Sequence, residues 1–357
     1  MKLRFSLVPA IAALAVLYGP VGQAQDFPYA LFERYIEPLR LQSGIPGLSA
    51  AVVRDGKIEW EKGFGFADVD QSIAAAPDTP YPIGGLTQAM TGVLIGICAD
   101  RHTLEVDEPI RSYAPSFPSD ATIRQVLAHG SEGRFVYDPS RYAQLTPVVD
   151  KCLARPYRAA VVTEILDRLA LTSSVPGLNL ATPGSAEREL FDAATLSRYA
   201  GILRRVAVPY SVDAKGKATA SSYGAQGIDA ATGMVSTVRD LAKFDIELER
   251  GTPLSTSTLS QMWNQTVFVL PGDSAPARTI TLPTGLGWFV QLVSNERLVW
   301  SYGNIPNAGS ALILKVPAKH STLILLANSH GLAVGANLDR ADVTVSPFVK
   351  VFLRLFL

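Results

Sequence analysis

The sequence predicts an α+β fold, in which an antiparallel sheet is flanked by an N-terminal and a C-terminal helix and carries an inserted all-helical lobe. Three observations predict it. Apolar residues repeat with helical spacing near both chain ends, over 27–43 and after Ser346. Short β-rich runs follow the first helix and precede the last, within 48–62 and 286–326. The long stretch between those runs, from about 85 to 250, is mostly helical in pattern.

This order of elements predicts two lobes within one domain. Strands from both chain ends share a sheet, so the α/β lobe comprises about 25–80 and 280–357, and the helical lobe about 81–279. The chain is long enough to bury such a core. A cleft between two lobes is where a small-molecule site is expected.

The first 24 residues have the layout of a secretory signal peptide. Lys2 and Arg4 precede an apolar run over 7–17, and small residues lead to a cleavage site after Ala24. A transmembrane anchor is the alternative, but the apolar run is about half of the roughly 20 residues that a span requires. We therefore expect an exported protein, periplasmic or secreted, with a domain over 25–357 and no stable membrane span after cleavage.

Local signals define the elements of the α/β lobe. Gly44 ends the first helix, and Asp55-Gly56 between two β-rich runs predicts a hairpin, because both residues tolerate positive φ. Ser346-Pro347 is typical of the N-cap and first position of a helix that packs on the core. The β-rich runs before it lie at 286–292, 298–300, 310–314 and 322–326.

The helical lobe holds one clear helix start and both cysteines. Thr237 and Asp240 predict a capping box for a helix that ends at Gly251. Export permits a disulfide between Cys98 and Cys152. Two buried free thiols inside helices is the interpretation that we favour.

Composition and charge exclude several function classes. Cleavage of the signal peptide removes two of the 32 basic residues and none of the 32 acidic ones, which leaves a net charge near −2. The mature chain therefore has no excess of positive charge with which to bind nucleic acid. The histidines have no metal-ligand spacing with each other or with the cysteines. No metal or other cofactor is expected, and the oligomeric state stays open. The histidines are His102, His129, His320 and His330.

Six stretches resemble, in order, those of class C beta-lactamases, D,D-peptidases and their esterase relatives, the penicillin-recognising serine hydrolases. The stretches lie at 45–53, 63–68, 78–84, 122–131, 233–241 and 285–288. They are spread along most of the mature chain, from residue 45 to residue 288. The resemblance implies the same beta-lactamase/transpeptidase-like arrangement of two lobes.

The nucleophilic motif of that family is replaced. The resemblance implies Ser-x-x-Lys at a helix start, where the serine attacks a carbonyl and the lysine helps to take its proton. Gly85 and Gln88 hold the aligned positions. Glycine has no side chain that could attack a carbonyl, and the glutamine amide cannot take a proton as a base. No lysine in 25–357 has Ser, Thr or Cys three residues before it. The neighbouring Thr87 is turned about 200° away on a helix, so no catalytic residue is predicted.

Two further motifs around the cleft are also altered. The resemblance implies Tyr-x-Asn, which aligns with Tyr137 and Pro139, and proline offers no donor. It also implies Lys-Thr-Gly or His-x-Gly on a strand, where only Gly303 is kept and Ser301 aligns with the cation or imidazole. Tyr137 either binds a ligand or is a packed aromatic residue with a satisfied hydroxyl.

The resulting vestigial cleft supports three hypotheses. We favour a catalytically inactive family member that binds a peptidoglycan fragment, a D-amino acid peptide or a protein partner, with backbone N–H groups near Gly85 and Asn304 as a remnant oxyanion hole. The alternative is a weak esterase, D,D-peptidase or beta-lactamase-like enzyme with an unrecognised nucleophile. The third is a structural module with a closed cleft. The cleft residues are Gly85, Gln88, Tyr137, Pro139, Ser301, Gly303 and Asn304.

Overall fold

The computed structural model describes residues 23–182, 184–213, 215–224, 226–270, 278–333 and 336–357. Its helices are α1 Gln23–Gln42, α2 Thr87–Asp100, α3 Ile123–Leu127, α4 Pro139–Ala143, α5 Thr146–Cys152, α6 Tyr157–Val161, α7 Ala193–Leu203, α8 Val238–Glu249, α9 Thr256–Met262 and α10 Pro347–Phe356. Its strands are β1 Gly47–Arg54, β2 Lys57–Asp68, β3 Ile73–Ala74, β4 Tyr81–Pro82, β5 Val175–Pro176, β6 Tyr210–Val212, β7 Ala218–Ala220, β8 Met234–Ser236, β9 Val267–Leu270, β10 Arg278–Thr281, β11 Phe289–Val293, β12 Glu296–Ile305, β13 Gly309–Val316 and β14 Ser321–Ala327.

The main sheet joins the two ends of the chain. Its seven strands are antiparallel to their neighbours in the order β11-β12-β13-β14-β1-β2-β3. β1 lies between β2 and β14, and Ala51 is opposite Glu61 on one side and Ile324 on the other. The predicted α+β fold, in which strands distant in sequence share one sheet, is therefore confirmed. The inserted lobe is not all-helical as expected, because it also holds the short strands β4 to β9 in small sheets.

Helices cover both faces of this sheet. Val52 and Leu325 pack in one core with Phe32 of α1 and Phe352 of α10. Their neighbours along the strands belong to a second core, formed with α2 and α8 of the helical lobe. Successive side chains of a strand point to opposite faces, so both faces of β1 and β14 are apolar.

Helix α1 starts earlier than the predicted residue 27. It begins at Gln23, runs through Pro28 and ends at Gln42, and Gly44 follows with φ +61°. Asp55 and Gly56 both adopt positive φ between β1 and β2, as the hairpin signal predicts. Residues 1–22 lie outside the described residues, so the signal peptide and its cleavage after Ala24 remain a prediction.

Helix α10 closes the α/β lobe at the C-terminus. Phe348, Phe352 and Phe356 lie on one side of the helix and are buried against α1 and the sheet, because apolar residues at this spacing share a helix face. The rings of Phe32 and Phe356 are 5.4 Å apart. Within the described ranges, no helix combines the length and the apolar character needed to cross a bilayer.

The predicted capping box of α8 is only half formed. The Thr237 hydroxyl accepts the Asp240 N–H at 3.1 Å, as expected. The Asp240 carboxylate instead accepts the Ser173 N–H at 2.8 Å and the Ser174 hydroxyl at 2.7 Å. These buried donors in the preceding loop need an acceptor, and that tertiary requirement overrides the local capping pattern.

The expectation of two free thiols is wrong. Cys98 of α2 and Cys152 of α5 form a disulfide, with their Cα atoms 5.9 Å apart. Both residues lie in helices, as expected. However, α2 and α5 pack side by side, which brings the Cα atoms within the range that a disulfide requires.

Candidate ligand-binding cleft

The cleft begins at a tight turn before α2. Gly84–Leu86 form one turn of 3₁₀ helix, and α2 starts directly after it at Thr87. The Thr87 hydroxyl donates to the Gly84 carbonyl at 2.7 Å and accepts the Met234 N–H at 3.3 Å. Thr87 is fully buried, so its hydroxyl stabilises the turn and does not face the cleft.

This turn is pressed directly against β12. A Cβ atom on Gly303 would lie 1.8 Å from the Ile83 carbonyl oxygen, which no side chain permits. Gly84 has φ +52°, a conformation that favours glycine. Gly303 is therefore retained because backbone meets backbone here, and this contact fixes Gly85 beside the strand.

Tyr137 fills the space in front of Gly85. A Cβ atom on Gly85 would lie 2.6 Å from the Tyr137 hydroxyl and 3.1 Å from the Tyr302 carbonyl oxygen. Both distances are shorter than an ordinary van der Waals contact of about 3.5–4.0 Å. The phenol oxygen thus lies directly beside the place where the side chain of residue 85 would begin, and it leaves no room for that side chain.

Gln88 takes part in a neutral hydrogen-bond chain. The Asp138 N–H donates to His129 Nδ1 at 3.4 Å, which leaves the proton on Nε2 to be donated to Gln88 Oε1 at 3.0 Å. Gln88 Nε2 in turn donates to the Tyr137 hydroxyl at 3.3 Å. Burial lowers the pKa of His129 to about 3. The hydrogen-bonded side chains of His129, Gln88 and Tyr137 therefore carry no charge at neutral pH.

Tyr137 itself is packed among aromatic rings. Its ring centroid is 4.8 Å from that of His129 and 5.3 Å from that of Tyr302. Burial raises the pKa of Tyr137 to about 12, although hydrogen bonds from Tyr302 and Gln88 oppose that shift. A phenol with this pKa stays protonated at neutral pH, so it can exchange hydrogen bonds but is a poor base.

Pro139 has a local structural role at the edge of the cleft. It is the first residue of α4, and the Asp138 carboxylate caps that helix by accepting the N–H groups of Ser140 and Arg141. Proline is well suited to this position, because the first residue of a helix has no acceptor within the helix for its N–H and proline lacks that group. Asp138-Pro139 is a sequence pattern typical of a helix start, and it lies within the segment that aligns with Tyr-x-Asn.

Strand β12 presents Tyr302 to the cleft, a residue that the family motifs did not indicate. Ser301 is 3% exposed, lies opposite Ile313 and does not line the cavity. Tyr302 and Asn304 do line it, as expected for two residues separated by two along a strand. Since Asn304 was already assigned to the cleft, the alternation of strand residues is the signal that could have identified Tyr302.

These residues enclose a cavity of about 510 Å³, a size typical of small-molecule sites. A second cavity of about 460 Å³ adjoins it and shares Thr232 and Asn304. Gln88, Ser301 and Gly303 lie behind the lining. The first cavity is lined by Gly85, Tyr137, Pro139, Ala231, Thr232, Tyr302, Asn304, Ala333, Asn337, Leu338 and Asp339.

The lining lacks the pairing that activates a nucleophile. Thr232 supplies its one aliphatic hydroxyl, and none of the lining residues that the structure describes is a lysine, arginine or histidine. Gly85 and Asn304 are brought together at the same cavity, as the sequence suggested. The arrangement offers hydrogen-bonding groups and aromatic surface, which suit binding.

A model of the Beta-lactamase family matches residues 32–345. Protein flp of Staphylococcus aureus (strain NCTC 8325 / PS 47) is 36% identical over 99 residues, which cover 26% of this chain and 20% of that protein. The teichoic acid D-alanine hydrolase of Staphylococcus aureus (strain MRSA252) is 28% identical over 123 residues, or 34% of this chain and 30% of that enzyme. The match thus spans less than a third of the length of either relative.

Solved structures show the same fold. The octameric penicillin-binding protein homologue from Pyrococcus abyssi aligns with a TM-score of 0.71 and 20% identity, over 91% of this chain and 77% of its own. The D-amino acid amidase from Ochrobactrum anthropi SV3, complexed with L-phenylalanine amide, aligns with a TM-score of 0.66 and 18% identity, over 90% and 99%. At these identities the likeness is one of architecture.

Proposed function

Because this chain belongs to the beta-lactamase family, we propose that it is a non-catalytic member that binds a small cell-wall fragment in the cleft at Gly85. The single observation that supports this most is the replacement of the nucleophile. Gly85 offers no hydroxyl, and the Tyr137 hydroxyl lies 2.6 Å from the position of its absent Cβ. An acyl-enzyme at residue 85 has neither the atom nor the space to form.

The neighbouring groups support the same proposal. Covalent catalysis needs a nucleophile whose proton is taken by an adjacent base. Gln88 is an amide, and Tyr137 keeps its proton because its pKa is about 12. The Thr87 hydroxyl is buried and bonded within the turn. These contacts argue against the alternative of a hydrolase with a displaced nucleophile.

The preserved cavity favours binding over a purely structural role. A module with no ligand would gain stability by filling about 510 Å³ with side chains, yet this space is kept open and lined by polar and aromatic groups. Two similar proteins are named as a teichoic acid D-alanine hydrolase and a D-amino acid amidase. We infer a ligand with a D-amino acid unit, met by an exported protein in the periplasm or outside the cell.

Two measurements on one sample test the proposal. Intact-mass analysis after long incubation with a fluorescent penicillin should show unmodified protein, and thermal shift with D-alanine derivatives and muropeptides should show stabilisation, about 2.7 kcal/mol at 100 times the dissociation constant. Thr232→Val, which removes the aliphatic hydroxyl of the lining, serves as the control for covalent labelling. A stoichiometric adduct on Thr232, Ser131 or Tyr137 would make the chain an enzyme with another nucleophile.

A further inference from the structure

The cavity at Gly85 carries charge of one sign only, whereas the adjoining cavity is lined by both Arg158 and Asp229. Asp339 is the one side chain with a formal charge at neutral pH among the described residues that line the cavity at Gly85. It is exposed at the rim, in a short 3₁₀ turn over Leu338–Arg340. Within the described ranges, no ion pair or hydrogen bond joins its carboxylate to another residue. A free carboxylate at a cavity without a cation attracts positive ligands and repels negative ones.

Two aromatic rings stand beside this carboxylate. Tyr137 and Tyr302 line the same cavity, with ring centroids 5.3 Å apart and planes tilted by 34°. The Asp339 charge contributes to raising the pKa of both phenols, so the carboxylate lies within electrostatic reach of the two hydroxyls. A carboxylate next to neutral aromatic rings is the combination that holds an ammonium group, by charge and by cation–π attraction.

Neutral hydrogen-bonding groups lie between this carboxylate and the charged groups of the adjoining cavity. Thr232 and Asn304 line both cavities and lie at their junction. Their hydroxyl and amide groups can donate to a carbonyl oxygen or accept from an amide N–H. An α-amino ester or amide carries an ammonium group two bonds from a carbonyl carbon, which matches a carboxylate followed by uncharged donors.

We propose that the cleft recognises the ammonium end of an aminoacyl ester or amide, with Asp339, Tyr137 and Tyr302 around the ammonium and Thr232 and Asn304 at the carbonyl. The inference rests on the proposed binding function and specifies its ligand. It predicts that a ligand with a free carboxylate at this place is rejected. The recognised unit is therefore an amino acid joined through its carbonyl to a larger molecule.

Isothermal titration of the purified protein with three probes tests this inference. The probes are D-alaninamide, which is a cation, N-acetyl-D-alaninamide, which is neutral, and N-acetyl-D-alanine, which is an anion. D-Alaninamide should bind at least about tenfold more tightly than either acetylated probe, and added salt should weaken it. Asp339→Asn should remove that advantage. Asp70→Asn, the same change at an exposed aspartate outside the cleft, should keep it.

The outcomes separate the two proposals. If the acetylated probes bind as tightly as D-alaninamide, or if Asp339→Asn leaves the preference intact, the ammonium inference is wrong while the binding function stands. If no probe binds, and muropeptides give no thermal shift either, both the proposed function and this inference fail. Circular dichroism of Asp339→Asn verifies its fold, which is expected to be unchanged because this side chain is exposed.

Discussion

Replacing Gly85 with alanine adds one methyl group directly in front of the Tyr137 hydroxyl. The new carbon would lie 2.6 Å from that oxygen and 3.1 Å from the Tyr302 carbonyl oxygen. Overpacking of a filled site costs about 1–3 kcal/mol. The backbone of Gly85 is outside the left-handed region, so alanine also gains about 0.4–1 kcal/mol by restricting the unfolded chain. The two ranges combine to a net loss of about 0–2.6 kcal/mol in the free energy of unfolding, centred near about 1.3 kcal/mol.

The same substitution should be far less costly after Tyr137→Phe. Removing the phenol oxygen eliminates the shorter contact and leaves only that with the Tyr302 carbonyl. Tyr137→Phe by itself should cost about 1 kcal/mol, because Gln88 loses a hydrogen-bond acceptor. The double-mutant cycle should therefore show a coupling of about 1–2 kcal/mol between residues 85 and 137.

Urea unfolding followed by tryptophan fluorescence measures all four proteins of the cycle. Gly201→Ala is the matched control, because a Cβ atom there meets nothing closer than 3.9 Å within helix α7. It should stabilise the protein by about 0.5–1 kcal/mol. If Gly85→Ala is also stabilising, or costs the same with and without the Tyr137 hydroxyl, then that hydroxyl does not occupy the place of the nucleophile.

Three further outcomes are expected. The double variant Gly85→Ser/Gln88→Lys should hydrolyse a chromogenic cephalosporin far below ordinary enzyme rates, since Tyr137 fills the space of the new serine; turnover typical of enzymes contradicts this account of the cleft. His129 has a native pKa of about 3 against about 6.5 when unfolded, so only the unfolded state gains a proton as pH falls from about 6.5 to 3. The free energy of unfolding should drop by about 2–3 kcal/mol at pH 4.5. The drop should be smaller in His129→Asn, because asparagine tolerates the native φ of +52° at this position. If urea unfolding at a series of pH values gives the same slope of unfolding free energy against pH in both proteins, His129 is not the titrating group. Replacing Cys98 and Cys152 with alanine opens a loop with a sequence separation of 54 and should cost about 4 kcal/mol in the chain-entropy model, whereas free thiols detected in the denatured, unreduced protein would mean that the bond is absent.

The sequence by itself determined the fold class and the loss of the nucleophile. Helical and strand periodicity depends on the backbone repeat of each element, so it located α1, the hairpin at Asp55 and the C-terminal strands without any knowledge of packing. The absence of Ser-x-x-Lys is likewise a local fact, visible at Gly85 and Gln88. Each of these local observations concerns residues within a few positions of one another, and the order of the elements then predicted that strands of both chain ends share a sheet.

Only the tertiary structure decided which side chains meet. Tyr302 rather than Ser301 faces the cavity, because a shift of one residue in alignment moves a strand side chain to the other face of the sheet. The disulfide depends on α2 packing against α5, and Asp339 reaches the cleft from a turn near the C-terminus. The Tyr137 hydroxyl fills the space at Gly85 because segments about 50 residues apart pack together, and no periodic pattern encodes such a distance.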